Sequence, residues 1–324
     1  LLATALGATA ATAFAEILGA AIGLEMLTGL PLRLGVLSSA AAVVVLLLAS
    51  HYQRLERYTV AFVSIVGLTF LVELALTGVS WRAALAGTAV PRLPPGSLPT
   101  VAAVLGAVVM PHGIFLHSEV VQSRARHAAA SGVPQSRRLA FAAADTGAAM
   151  VVGGAINAAM VVVSAAVFHA RGVPVVELPQ AHAALEPALG AAAAALFAVA
   201  LVLAGVASAV TAGMAGGVIV AGARGQAFVT SERSSRLGMV GVVVAALGGA
   251  LLVREPFQAL IESQIVLGVQ LPLTVGALLA LTSSRRVMGA QVNPPRQRAL
   301  LWIAAAVVVA LDLSLLWDAL RGAG

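Results

Sequence analysis

The sequence predicts an all-α polytopic membrane protein with about nine spanning helices, and three observations predict it. Of its 324 residues 60% are hydrophobic and 10% charged, at a mean hydropathy of +1.00, whereas a soluble domain carries about a quarter charged residues. Apolar stretches of about 20 residues, enough to cross a bilayer, recur along the whole chain. The basic residues, all of them arginine, gather in alternate connectors.

Taken in order, the stretches are 1–29, 31–50, 58–79, 98–121, 139–169, 188–222, 237–253, 256–282 and 299–320. The first two are parted by Gly29-Leu30-Pro31, a helix-stop signal. Arg54 to Arg57 precede the third, and the fourth carries Pro111 in its interior. The fifth and sixth exceed one bilayer thickness, so they tilt or extend into water. Arg254-Glu255-Pro256 divides the seventh from the eighth, and Asn293-Pro294-Pro295 precedes the ninth. No connector is long enough for a second domain, so 1–324 is expected to be a single transmembrane domain.

Arginine placement tests this parse. With residue 1 on the cytoplasmic side, Arg33, Arg82, Arg92, Arg171, Arg254 and Arg321 fall outside, leaving 13 of the 19 inside. The positive-inside rule therefore sets the first span running outward and the C-terminus outside, as for a bacterial-type inner-membrane protein. The chain begins Leu1-Leu2, without an initiator methionine and already inside an apolar run. No charged n-region and cleavage site make it a signal peptide, so the expectation is that the N-terminus is missing.

Several function classes fall away. With no Cys there are no thiolate metal sites or thiol nucleophiles. The net charge of +6 comes without a basic, aromatic-interleaved stripe, and aromatics are 4%, so nucleic acid is not a partner. His112 and His117 are five apart, not the four of a zinc-binding HExxH helix. No GxSxG elbow or Walker loop occurs. Ser208, in Gly205-Val206-Ala207-Ser208, resembles an intramembrane nucleophile without an identifiable base. The chain is not read as an enzyme, no cofactor is implied, and no obligate protein partner is evident beyond the lipid bilayer.

Ionisable groups at membrane depth are costly and mark pathways or partners. They are Glu16, Glu25, Glu73, His112, His117, Asp145, Glu262 and Asp312. Glu25, Asp145 and Glu262 lie near expected helix ends. Glu16 lies mid-span among small residues suited to close packing. The fourth span differs in kind. Pro111 has no N–H, and its ring collides with the Ala107 carbonyl four residues earlier. Gly113 weakens the helix on the other side. A carbonyl freed near the midplane must line a cavity or find a partner, as in transporters with broken helices. The Met110 thioether beside oxygen donors favours Mn²⁺ or Fe²⁺ over Ca²⁺ and Mg²⁺, and His112 can titrate near neutral pH. The competing reading is a plain proline kink with a lipid-facing methionine.

The run Met110-Pro111-His112-Gly113-Ile114-Phe115-Leu116-His117-Ser118 resembles the sixth-helix Met-Pro-His-Asn-x-x-Leu-His-Ser motif of the Nramp family of proton-coupled divalent-metal transporters. The similarity covers nearly the whole chain. Ala15-Glu16-Ile17-Leu18-Gly19 with Gly29-Leu30-Pro31 resembles the third helix and its turn, and Asn157-Ala158-Ala159-Met160 the seventh. Ser263-Gln264-Ile265-Val266-Leu267 with Gln270-Leu271-Pro272 resembles the tenth, and Thr282 to Gly289 the loop after it.

The resemblance implies a LeuT-like fold of at least eleven helices, of which this chain would hold the third to the last. It implies import of Mn²⁺ or Fe²⁺ by alternating access, with H⁺ as the coupling ion. Met110 and the Ala107 carbonyl would bind metal and Gln264 approach it on closure. His112, Glu16 and, by a weaker match, Arg236 would serve proton movement. The first helix, whose Asp-Pro-Gly-Asn break completes the family's metal site, would lie before Leu1. Three departures stand out: Gly113 for Asn, Ala13 for an Asp one turn before Glu16, and Gly217 for a polar residue in the eighth helix. Alternatives are a non-transporting remnant lacking the first metal-binding helix, or a magnesium-transporting relative, which Met110 opposes.

Overall fold

The computed structural model describes residues 1–49, 52–90, 94, 97, 101, 104, 107–169, 172, 175 and 178–322. Among them the backbone is helical and no strand occurs. In hydrocarbon every backbone group must be satisfied within its own segment, and an α-helix does this unaided.

The long helices are α1 (Leu2–Thr28), α2 (Leu32–Ala49), α3 (Tyr52–Leu76), α5 (Pro111–Ala130), α6 (Gln135–Val167), α8 (Ala191–Ala223), α9 (Arg233–Leu252), α10 (Pro256–Thr282) and α12 (Pro295–Gly322). Shorter ones intervene: α4 (Trp81–Ala89), α7 (Leu178–Leu189) and α11 (Arg285–Met288). Seven of the long helices, α1, α2, α3, α6, α8, α9 and α10, are apolar and long enough to cross a membrane. The expected fourth span is not one helix. Its described part breaks at Val109-Met110, and residues 98–100, 102, 103, 105 and 106 lie outside the described residues. The expected ninth span is the helix Pro295–Gly322.

Two connectors that read as loops contain helices. α4 follows Ser80, and α7 ends at Gly190, which starts α8 at Ala191 rather than at residue 188. α1 stops where Gly29-Leu30-Pro31 predicts. Gly29 is left-handed at φ 69°, and its N–H bonds the Glu25 carbonyl at 2.8 Å, the conformation and bond a helix C-terminus needs.

α8 is the hub. It packs against α1 most extensively, and also against α2, α3, α5, α7 and α9. The main core cluster joins α1, α2, α8 and α9 through Ile17, Leu18, Val43, Leu47, Val210, Met214 and Met239. Apart from Ile219, the rest of the α8 interior is alanine and glycine, because membrane helices gain from close backbone approach rather than from hydrophobic sorting. Bulky side chains face outward instead: Leu68 is 62%, Met150 70% and Val151 72% exposed, surface that a bilayer covers.

The closest approach is between α8 and α1. A Cβ on Gly205 would lie 2.5 Å from the Glu16 carbonyl oxygen and 2.9 Å from the Ala20 nitrogen. Both are backbone atoms, so an added methyl cannot be relieved by a rotamer change. Gly205→Ala should therefore separate α1 from α8 and cost about 1–3 kcal/mol, the range for overpacking. Thermal unfolding in detergent checks this: a Gly205→Ala melt matching that of the parent chain would contradict the packing described.

Candidate metal and proton site

The site grows from the break before α5. Ala107 and Val108 are helical, Val109 bends, Met110 is non-helical, and α5 begins with Pro111. Proline suits a first helical position because its missing N–H is one that a helix start leaves unused. The Gly113 N–H bonds the Met110 carbonyl at 3.1 Å, so Met110 closes the first turn with its backbone. Its side chain is half-buried, as is Ala107. The donor four residues after Ala107 is Pro111, which has none to give. Local sequence thus places a thioether and an α-helix-unpaired carbonyl together.

Pro111 and His112 are buried, His112 to 5% exposure, and the His112 Nδ1 has no hydrogen-bond partner. A buried ring nitrogen without a partner costs free energy unless something occupies it. α5 packs against α1, α8 and α10, the helices that carry Glu16 and Gln264. Gln264 is half-buried on α10. Its Nε2 donates to the Ser263 Oγ at 3.3 Å, while its Oε1 is buried and unpartnered. Glu16 is half-buried on α1, where the Gly205 backbone of α8 comes against its own backbone carbonyl. Gly113 is exposed, so the residue replacing Asn contributes no side chain to the break.

Arg236 is not brought to this region. It is exposed in the first turn of α9, and its Nε donates to the Thr230 carbonyl at 3.3 Å. The other departures have packing reasons. Ala13 is fully buried, a position where a carboxylate would need a partner. A Cβ on Gly217 would meet Phe228 at 2.7 Å and Met239 at 2.9 Å. Glu25 lies in the last turn of α1 as expected and is exposed; Asp145 and Glu262 are exposed too, although they lie about two to three turns inside α6 and α10. The Asp312 side chain lies outside the described residues. Among the described residues no group of three or more His, Cys, Asp or Glu could hold a metal.

Sequence reading missed two features. Glu73 on α3 is 1% exposed, and its Oε1 has no partner; only its depth in the span hinted at this. Arg124 on α5 donates to Glu56 of α3 and, at 2.6 Å, to Asp145 of α6, tying three helices beyond the apolar stretch ending at residue 121. Glu56 beside it raises the Arg124 pKa above its ordinary value, with Asp145 adding to the effect. Two turns earlier the His117 Nε2 lies 3.5 Å from the Thr146 Oγ1. Between α5 and α6 is a cavity of about 550 Å³, lined by His117, Arg124, Arg138, Asp145, Thr146 and apolar residues.

With this geometry in hand, comparison with known proteins is decisive. Residues 1–318 match the model of the Natural resistance-associated macrophage protein-like family, Nramp. The chain belongs to the Nramp family. A divalent metal cation transporter MntH of Granulibacter bethesdensis is 37% identical over 318 residues, covering 96% of this chain and 70% of that protein. The one from Xanthomonas campestris is 38% identical over 317 residues, covering 94% and 70%. Among solved structures, the Eremococcus coleocola manganese transporter, in complex with an aromatic bis-isothiourea substituted compound, matches with a TM-score of 0.74. The two are 26% identical, and the match covers 97% of this chain and 70% of that one. A variant of the same transporter matches with a TM-score of 0.76 at 24% identity. The Nramp fold, LeuT-like as the motifs implied, is thus that of this chain.

The Arg124 pairs are exposed, and exposed pairs contribute about 0.2–1 kcal/mol each. Arg124→Met should therefore lower the melting temperature by only a few degrees, and the loss should shrink in high salt. A salt-independent loss would show that Arg124 acts through packing instead.

Proposed function

We propose that this Nramp chain imports a divalent transition metal, Mn²⁺ or Fe²⁺, coupled to protons and by alternating access. The observation that carries the reading is the break before α5, which presents the Met110 thioether next to a carbonyl without a helical donor. The metal cation transporters among its bacterial relatives support the substrate class. A soft sulfur with oxygen donors suits Mn²⁺ or Fe²⁺ and does little for Mg²⁺, which releases water reluctantly.

In this scheme the metal arrives from outside and is bound by Met110 and the Ala107 carbonyl. Two protein donors are too few for such an ion, so water or further protein groups complete the shell. Gln264, with its free Oε1, closes over the metal as α10 moves toward α5. The ion then leaves inward. His112 and Glu16 exchange the coupling protons, and Arg236 at the inner end of α9 assists their exit. The C-terminus lies outside, in a bacterial-type inner membrane. No covalent step is required, which is why the chain is read as a transporter and not an enzyme.

The test is uptake by the complete protein carrying this sequence, reconstituted in vesicles. Met110→Ala should lower Mn²⁺ uptake by on the order of tenfold, a typical loss when a metal site is impaired, and let Ca²⁺ or Mg²⁺ compete better. Unchanged Mn²⁺ uptake and selectivity would remove Met110 from the site. In the same vesicles His112→Ala should change the pH dependence of Mn²⁺-driven proton flux. A wild-type profile in that variant would exclude His112 from proton handling.

A further inference from the structure

Among the described helices, α4 (Trp81–Ala89) is the one that packs extensively against no other, and none of its residues is buried. Nine residues are too few for a helix to hold itself in water, where even about 12–15 are marginal. Its support therefore comes from outside the described protein. Its place in the chain says what is at hand. α3 ends at Leu76 and α4 begins at Trp81, so α4 sits where a candidate membrane span leaves the bilayer. The sequence suits that level. Trp81 and Arg82 open the helix, both exposed, and membrane interfaces collect tryptophan and snorkelling cations. Leu85, one turn after Trp81, is 69% exposed. Arg82 is the only charged residue between 77 and 90.

The other face of α4 looks onto α6 without reaching it. Between them is a cavity of about 540 Å³, walled by Ala83, Ala84, Gly87 and Thr88 on one side and by Val161, Ala165 and their neighbours on the other. A Cβ on Gly87 would meet nothing within 4 Å, so the space is open up to the backbone of α4. Among the described residues no charged one lines it. A soluble ion finds no counter-charge there, and a buried water needs two to four polar partners. A hydrocarbon chain needs neither, and apolar cavities of only about 150 Å³ already take up benzene. Val161 lines the cavity and is also 62% exposed. The cavity therefore opens onto the apolar surface of α6, itself a candidate span, within its last two turns.

We propose that the gap between α4 and α6 binds one acyl chain of a membrane phospholipid, with α4 lying in the interface and Trp81 and Arg82 at headgroup level. The chain fills the cavity and supports a helix too short to persist alone. Because α4 lies between α3 and the segment entering the Met110-Pro111 break, the lipid also ties that segment to the membrane edge.

The experiment uses the complete protein carrying this sequence, in phosphatidylcholine and phosphatidylglycerol vesicles doped with a phospholipid whose acyl chain bears a photoreactive diazirine. Mass spectrometry should find cross-links on residues 83–88 and 161–166. The Gly87→Leu side chain has room and improves helix propensity. It should fill the gap and abolish those cross-links, while cross-links at Leu68 on α3 persist and show the variant to be folded and inserted. Undiminished labelling of 161–166 in Gly87→Leu would mean that lipid only coats these helices, and would overturn the site. No labelling of either segment in the parent would overturn it too, since protein would then cover the cavity. Independently, brominated acyl chains should quench the part of the fluorescence that Trp81→Phe removes. Quenching of that part by aqueous iodide alone would take α4 out of the interface.

Discussion

Hydrocarbon offers no hydrogen bond to a backbone carbonyl, and the interruption at Met110-Pro111 exists only because protein surrounds it. Proline removes the donor, so the carbonyl before it needs a cavity, a neighbour or an ion. α1, α8 and α10 close around α5, and the polar atoms of the region follow from that arrangement. His112 and Gln264 each keep a buried atom without a partner, a cost that a stable fold tolerates where function requires it. Pro272 makes the contrast. It sits inside α10 without ending it, because no glycine follows within two residues and the helix on both sides is held by packing.

The second constraint is the closeness of α8 to α1. Small residues permit it, and Gly205 requires it, since its neighbours on α1 are the backbone of Glu16 and Ala20. Packing and chemistry are the same feature here. The contact that stabilises the scaffold also fixes the backbone that carries Glu16. α5 and α10 pack against each other far less extensively than α1 packs against α8.

Much of this was legible from residues alone. Run lengths located the seven helices that are apolar and long enough to cross a membrane, Gly29-Leu30-Pro31 the end of α1, and Pro111 the break. What stayed hidden shares a cause. These helices are apolar on all sides, so no amphipathic stripe says which face meets lipid and which meets protein. The burial of Glu73 and the convergence of Glu56 and Asp145 on Arg124 both depend on helix rotation, which the pattern does not encode. α4 and α7 were missed because they lie in connectors, below the length of a span.

The central claim is that Met110 sulfur binds the transported ion. Cd²⁺ is a soft probe with good affinity for thioethers, and X-ray absorption at the cadmium edge distinguishes sulfur from oxygen or nitrogen neighbours. The complete protein loaded with Cd²⁺ should show a sulfur scatterer that disappears in Met110→Ala. A shell of oxygen and nitrogen alone in the wild type, or a sulfur signal that survives Met110→Ala, would contradict the account.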